Sequence, residues 1–211
     1  MHAKSSIFVL KKSYYAQERN RPDIQKRRND YLASIDEIDP ADMIFIDESG
    51  ANLGMVNDYA RAEGGERAVA PKPFDTGTKF SIIGAIALTG MVAMMYIESA
   101  VNSTIFKGYV ERFLCPKLKP GKYVIFDNVG FHKSEEIADL IKSTGAKVVF
   151  LPPYSPDLSP IEKMWSKMKD ILKRNKPRTK AEFHSVLSGA LSSMNDEDFE
   201  EWYEACGYSV V

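Results

Sequence analysis

Three acidic residues stand where a fold can gather them. Asp47 follows the apolar run Met43-Ile44-Phe45-Ile46, Asp127 follows Val124-Ile125-Phe126, and Glu162 opens a helical pattern behind Val148-Val149-Phe150-Leu151. Apolar runs of this length read as buried strands. In a sheet with parallel strands, the carboxyl ends of neighbouring strands converge on one crevice. Three buried carboxylates repel one another unless a cation sits among them. Hard oxygen ligands suit Mg²⁺ or Mn²⁺, which keep waters and accept phosphate oxygens. Two such ions form a clamp for in-line displacement at phosphorus.

Each acid also has an ordinary explanation. Asp47 could form a turn ahead of Ser49-Gly50, and Asp127 an Asx turn with Asn128. Ser159-Pro160-Ile161-Glu162 has the composition of a capping box, with Glu at the third helical position. Asn128 and His132 follow Asp127 closely and are candidates to orient a metal-bound water or touch a phosphate, with turn hydrogen bonding as the alternative. Glu48 points to the opposite side from Asp47 by strand alternation. Behind Glu162, Lys163, Lys167 and Arg174 recur near one helix face as candidate phosphate contacts, while Trp165 and Met168 fall on the core side. Tyr154, in the loop Pro152-Pro153-Tyr154-Ser155-Pro156, is a candidate to stack on a base or to pack within its loop.

The elements that must position these groups can be read coarsely. The chain has 211 residues, 44% hydrophobic and 27% charged, enough to bury a core without staples. Two distant cysteines exclude a disulfide scaffold or a Cys-based zinc finger and fit a reducing compartment. No apolar run is long enough to span a membrane, and the opening IFVL is too short for a signal peptide. Net charge is −1 but uneven: residues 1–28 hold eight Lys/Arg, 163–180 eight more, and 196–204 six acids with no base. Such blocks are either an anion-binding face or solvated helix surfaces.

Residues 13–35 read as a helical lead-in, broken at Asp39-Pro40. Strands are expected over 43–46, 55–62 and on both sides of Thr89-Gly90, which makes a hairpin turn. A helix over 103–114, a strand over 122–127, a helix capped by Ser134 and a strand over 147–151 follow. A basic helix over 160–174 and two further helices complete the chain. The first strands read as antiparallel and the last two as parallel crossovers, an α/β fold with a mixed sheet between helices.

Three stretches carry a resemblance. FIDESG at 45–50, VIFDNVGFHKS at 124–134 and LPPYSPDLSPIEKMWSKMK at 151–169 resemble the catalytic domain of bacterial insertion-sequence transposases of the Tc/mariner superfamily, the IS-six-thirty group. The 34 residues between Asp127 and Glu162 match that superfamily's D-D-34-E spacing, and the resemblance covers roughly 20–205. It implies a ribonuclease-H-like fold, a mixed five-stranded sheet flanked by helices. It implies that Asp47, Asp127 and Glu162 are the metal-binding catalytic triad, holding two Mg²⁺ with Mn²⁺ able to substitute. The implied activity is cleavage of transposon ends and strand transfer into target DNA.

The implied partners are terminal inverted repeats, target DNA and a second copy in an active homodimer. Ser159 stands where many relatives carry Asn, and Val129-Gly130 where small polar residues are usual. No helix-turn-helix region is legible ahead of Asp47. Residues 1–40 are therefore expected to be a basic lead-in, 41–211 the catalytic domain, and an upstream-encoded helix-turn-helix polypeptide a further partner. The expected location is the bacterial cytoplasm, on the nucleoid when bound to DNA. Two rivals share this sequence pattern: another ribonuclease-H-like nuclease, and a domesticated DNA-binding protein without catalysis.

Overall fold

The computed structural model describes residues 16–57, 62, 64, 66–74, 76–127 and 134–210. After a short 3₁₀ turn, α1 (Pro22–Ile35) starts with proline at its first position, where the missing N–H costs nothing. Its buried residues, Ile24, Arg28, Tyr31 and Ile35, repeat at helical spacing and face the body of the fold. The sheet follows: β1 (Met43–Asn52), β2 (Lys79–Ala87), β3 (Gly90–Ile97), then α2 (Ser103–Tyr109), β4 (Tyr123–Phe126), α3 (Glu135–Ser143) and β5 (Lys147–Phe150). Three helices end the chain: α4 (Pro160–Asn175), α5 (Lys180–Ser192) and α6 (Asp196–Ala205).

The strands lie in the order β3-β2-β1-β4-β5. β1 is antiparallel to β2 and β2 to β3, while β1, β4 and β5 run parallel. The mixed sheet expected from the sequence is thus present. Gly90, with φ 121°, makes the tight turn between β2 and β3.

Alternation along the strands builds two cores. Met43 and Phe45 of β1 and Ile125 of β4 face a layer that includes Trp165, Met168 and Leu172 of α4, Phe183 of α5 and Tyr203 of α6. Tyr31 and Ile35 of α1 join that same layer. Ile44, Ile46, Val124 and Phe126 face the other way, onto Phe106, Tyr109, Ile137 and Ile141. A strand buried on both faces reads as a continuous apolar run, as Met43–Ile46 does.

Three expectations need correction. Of the strand expected over 55–62, residues 55–57 and 62 have no regular structure, and 58–61 lie outside the described residues. The Asn52 side chain accepts from the Gly54 N–H at 2.8 Å, a local turn that ends β1. β1 itself does not stop at Asp47 but continues to Asn52, paired throughout with β2. The helix expected over 103–114 is regular only to Tyr109; its ladder widens to a π turn over Val110–Leu114. Pro116, which has no N–H to continue a helix, follows directly in a 3₁₀ turn.

Candidate active site

Asp47 is not at a strand end, yet it is at the end of a ladder. The parallel pairing of β1 with β4 stops at Ile46–Phe126, so Asp47 and Asp127 are the next residues of two adjacent strands. Both follow residues that point to the α2–α3 side, and alternation therefore turns both acids to the α4 side. Glu162 comes to the same place from the first turn of α4. The three acids line one cavity of about 420 Å³, walled otherwise by Leu151–Pro156 and Ser159. Among the described residues, no three acidic, His or Cys side chains are already drawn into a closed metal-ligand set. The acids face the cavity from three separate elements.

The capping-box reading of Glu162 does not hold in full. Ser159 is the residue before α4, but its side chain makes no capping hydrogen bond. Glu162 is tied to Ser159 only through the backbone, its N–H donating to the Ser159 carbonyl at 3.2 Å. Its carboxylate is left facing the cavity, near the positive end of the helix dipole.

Sequence reasoning assigned Trp165 to the core, and it is 2% exposed. It does more than pack: its indole Nε1–H donates to Asp47 Oδ2 at 3.0 Å. Nothing in a single sequence pairs residues 118 apart, although a buried indole does demand an acceptor.

The acids share a strained electrostatic environment. Burial pushes the Asp47 carboxyl up to about 7, with the Glu162 and Asp127 charges adding to it and a hydrogen bond from the Glu48 backbone opposing. Burial also raises Glu162; the Lys169 charge opposes this and Asp127 adds to it. A site where ionised carboxylates are disfavoured in the absence of cations is one that gains from binding them. Tyr154 stands at the mouth, 47% exposed, with φ 56°, a backbone region that costs an aromatic residue energy. Asn128 and His132 lie outside the described residues.

Sequence comparison decides the family: residues 42–184 match the DDE superfamily endonuclease family. The chain belongs to the DDE superfamily endonucleases. No curated protein matches the chain. Among solved structures it is similar to a Mos1 transposase paired-end complex with the left transposon end, at TM-score 0.77 and 16% identity over 96% of this chain and 64% of that one. It is also similar to the catalytic domain of the Mos1 mariner transposase, at TM-score 0.68 and 14% identity over 92% of this chain and 91% of that one. The Mos1 strand transfer complex gives TM-score 0.75 at 16% identity, over 94% of this chain and 63% of that one. The ribonuclease-H-like fold is shared with these proteins, and the chain spans about 64% of the length of the paired-end Mos1 chain.

In this DDE endonuclease the basic helix α4 carries a groove on its outer side. Lys163, Lys167, Lys169 and Lys173 line it with Asp170, Asn57, Ser166 and Trp202, around about 650 Å³. Two candidate phosphate contacts are otherwise engaged. Lys167 binds both carboxylate oxygens of Asp198, at 2.6 and 2.5 Å, and Arg174 pairs with Asp170 one turn back. Asp198 belongs to the capping box of α6, so Lys167 fastens one helix to another.

Proposed function

We propose that this chain is the catalytic part of a Tc/mariner-type DNA transposase, of the bacterial insertion-sequence group that its motifs resemble. The observation that carries the reading is the convergence of Asp47, Asp127 and Glu162 on one cavity. The donor set is all oxygen, with Asp47 and Asp127 partly buried and Glu162 exposed, and the Asp47 charge is opposed by its neighbours, which fits Mg²⁺ or Mn²⁺ and no soft metal. Such ions, when bound, activate a water and stabilise the leaving oxygen at phosphorus. The solved Mos1 complexes include one with Mn and one with Mg.

The chain's own residues do the rest. Asp47 is presented from within β1, Asp127 from directly behind β4 and Glu162 from a helix start, so the site is preorganised. Lys163, Lys169 and Lys173 hold a DNA backbone running from the cavity along α4. Tyr154 offers a ring face to a base beside the scissile phosphate. Substrates in this reading are transposon terminal repeats and target DNA, with two copies acting together. Residues 41–211 form the catalytic body and the lead-in its connection to a helix-turn-helix module. Among the described residues no helix is long and apolar enough to cross a membrane, and we place the protein with DNA in the bacterial cytoplasm.

The test is a Mg²⁺-dependent nicking assay on transposon-end duplex, with an RNA–DNA hybrid alongside. Asp47→Asn, Asp127→Asn and Glu162→Gln are each expected to reduce cleavage at least a thousandfold while remaining folded. Preferential cutting of the hybrid would favour a ribonuclease, and no metal-dependent cutting of either would return the chain to a binding role.

A further inference from the structure

Trp165, Asp47 and Gly84 form one unit that the active-site reading does not require. The Trp165 indole donates to Asp47 Oδ2 at 3.0 Å from a position that is 2% exposed. Gly84 is the cross-strand partner of Asp47 on β2. A Cβ at residue 84 would come within 2.7 Å of Trp165 Cη2 and 3.2 Å of Cζ2. The ring therefore lies against bare backbone beside the acid, where only glycine leaves room for it.

We propose that Trp165 is a positioning residue for Asp47, setting the carboxylate's orientation toward a divalent cation, with Gly84 as the gap that lets the ring reach it. This rests on the reading of the cavity as a cation site. The choice of donor has a physical reason. Lys or Arg would fix the carboxylate equally well but would neutralise it and repel an incoming cation. An indole N–H is neutral, donates once and cannot be deprotonated in this range. It occupies one lone-pair site of Oδ2 and leaves the carboxylate's full charge and remaining sites to a metal. The bond also spans β1 and α4, so the acid on the sheet is held in register with the helix that carries Glu162.

The test replaces Trp165 by 3-benzothienylalanine, which keeps the ring's shape and exchanges N–H for sulfur. Mn²⁺ binding is followed by calorimetry, with wild type and Asp47→Asn as references. A second readout uses Trp202→Phe, in which Trp165 is the sole tryptophan. Its emission is expected to be quenched by Mn²⁺, and the quenching to disappear when Asp47→Asn is added. The benzothienyl variant is expected to melt near the wild-type temperature and bind Mn²⁺ about tenfold more weakly, the range found for partners of metal ligands. Gly84→Ala, which pushes on the ring from β2, is expected to weaken Mn²⁺ binding in the same direction. Equal Mn²⁺ affinity in wild type and benzothienyl variant would make Trp165 a packing residue and overturn the inference while leaving the cation site standing. Absence of Mn²⁺ binding by wild type would overturn the cation site itself, and this inference with it.

Discussion

Arg28 of α1 and Asp157 of the loop before α4 form a two-pronged ion pair, with Nη1–Oδ1 at 3.1 Å and Nη2–Oδ2 at 2.7 Å. Arg28 is 7% exposed and also donates to Ser155 Oγ at 2.6 Å, while Arg19 reaches the same Asp157 at 3.0 Å. Nearby, Tyr208 donates to the Leu158 carbonyl at 2.6 Å and meets Tyr31 of α1 at 2.9 Å. The segment that walls the cavity and leads into Glu162 is therefore held from outside the 42–184 match, by α1 and by the chain's last residues.

Removing Arg28 leaves Asp157 with Arg19 alone and takes a donor from the Ser155 hydroxyl. Arg28→Met, which keeps most of the volume, is expected to cost about 2 kcal/mol, the scale of hydrogen bonds to a charged group. Urea unfolding measures it. Acid adds a second signature. Burial alone would raise the Asp157 carboxyl, but the hydrogen bonds and charge of Arg28, with Arg19, outweigh it and leave it below the ordinary value. The stabilisation is thus complete above about pH 4, the unfolded value, and is lost as pH falls through the folded one. Arg28→Met should show a shallower loss of stability below pH 4 than wild type. Parallel acid profiles would mean that the pair contributes nothing in solution.

The part of the site legible in the sequence is the part set by local pattern. Met43–Ile46 and Val124–Phe126 announce buried strands, and the acids that follow them mark where the apolar run ends. That β1 runs on to Asn52 was not legible, because Glu48–Gly50 reads as a turn while β2 supplies the ladder that keeps it extended. At the start of the strand expected over 55–62, Asn52 turns the chain, and the described residues 55–57 carry no regular structure. Side-chain pairings such as Trp165–Asp47, Lys167–Asp198 and Arg28–Asp157 join residues that only the tertiary fold brings together. Charge spacing puts Lys167 on the same stripe as Lys163, and only α6 shows that Asp198 holds its ammonium.

Without cations, Asp47 is a liability to the fold. Its folded value of about 7 exceeds the unfolded one of about 3.9, so the folded chain holds this proton more tightly. Metal-free stability is then greatest at low pH and falls as pH rises from about 4 to about 7. Asp47→Asn keeps an acceptor oxygen for the Trp165 indole and removes the charge. Metal-free, it should be more stable than wild type at pH 8 by about 2–4 kcal/mol, at ~1.4 kcal/mol per pH unit of that window. Mg²⁺ should raise the wild-type melting temperature and barely move the variant's. Calorimetry with and without chelator checks both, and a variant no more stable than wild type at pH 8 would show that the repulsion is relieved by water.

Tyr154 trades backbone strain for an exposed ring. Its φ of 56° is easy for glycine and unfavourable for an aromatic residue. Tyr154→Gly should therefore be neutral or stabilising by up to about 1 kcal/mol, against the usual trend for loop truncations to glycine. If the ring stacks on a base, the same variant should bind end DNA with a single-stranded flank about tenfold more weakly, the lower range for stacking. Fluorescence anisotropy on flanked and blunt duplexes separates the effects. An equal loss on both would assign Tyr154 to general backbone contact.

The groove on α4 makes the sharpest distinction between lysines that are neighbours in sequence. All of Lys163, Lys167, Lys169 and Lys173 line it, but the Lys167 ammonium is held by both carboxylate oxygens of Asp198. Each lysine that meets a phosphate releases condensed counterions, contributing about 0.9 to the slope of log affinity against log salt. Lys163→Ala with Lys169→Ala should flatten that slope by about two and weaken binding alike on end and scrambled duplexes, since phosphate contacts carry no sequence information. Lys167→Ala should leave the slope unchanged. Its effect should appear in stability, because Asp198 loses its cation at the start of α6 and α6 loses its tie to α4. The pair is partly exposed, so the loss should be no more than about 1 kcal/mol. Titrations between low and near-physiological salt, with urea unfolding of the same variants, test both halves. A slope that flattens for Lys167→Ala would show that DNA draws this lysine away from Asp198 and that the groove reorganises on binding.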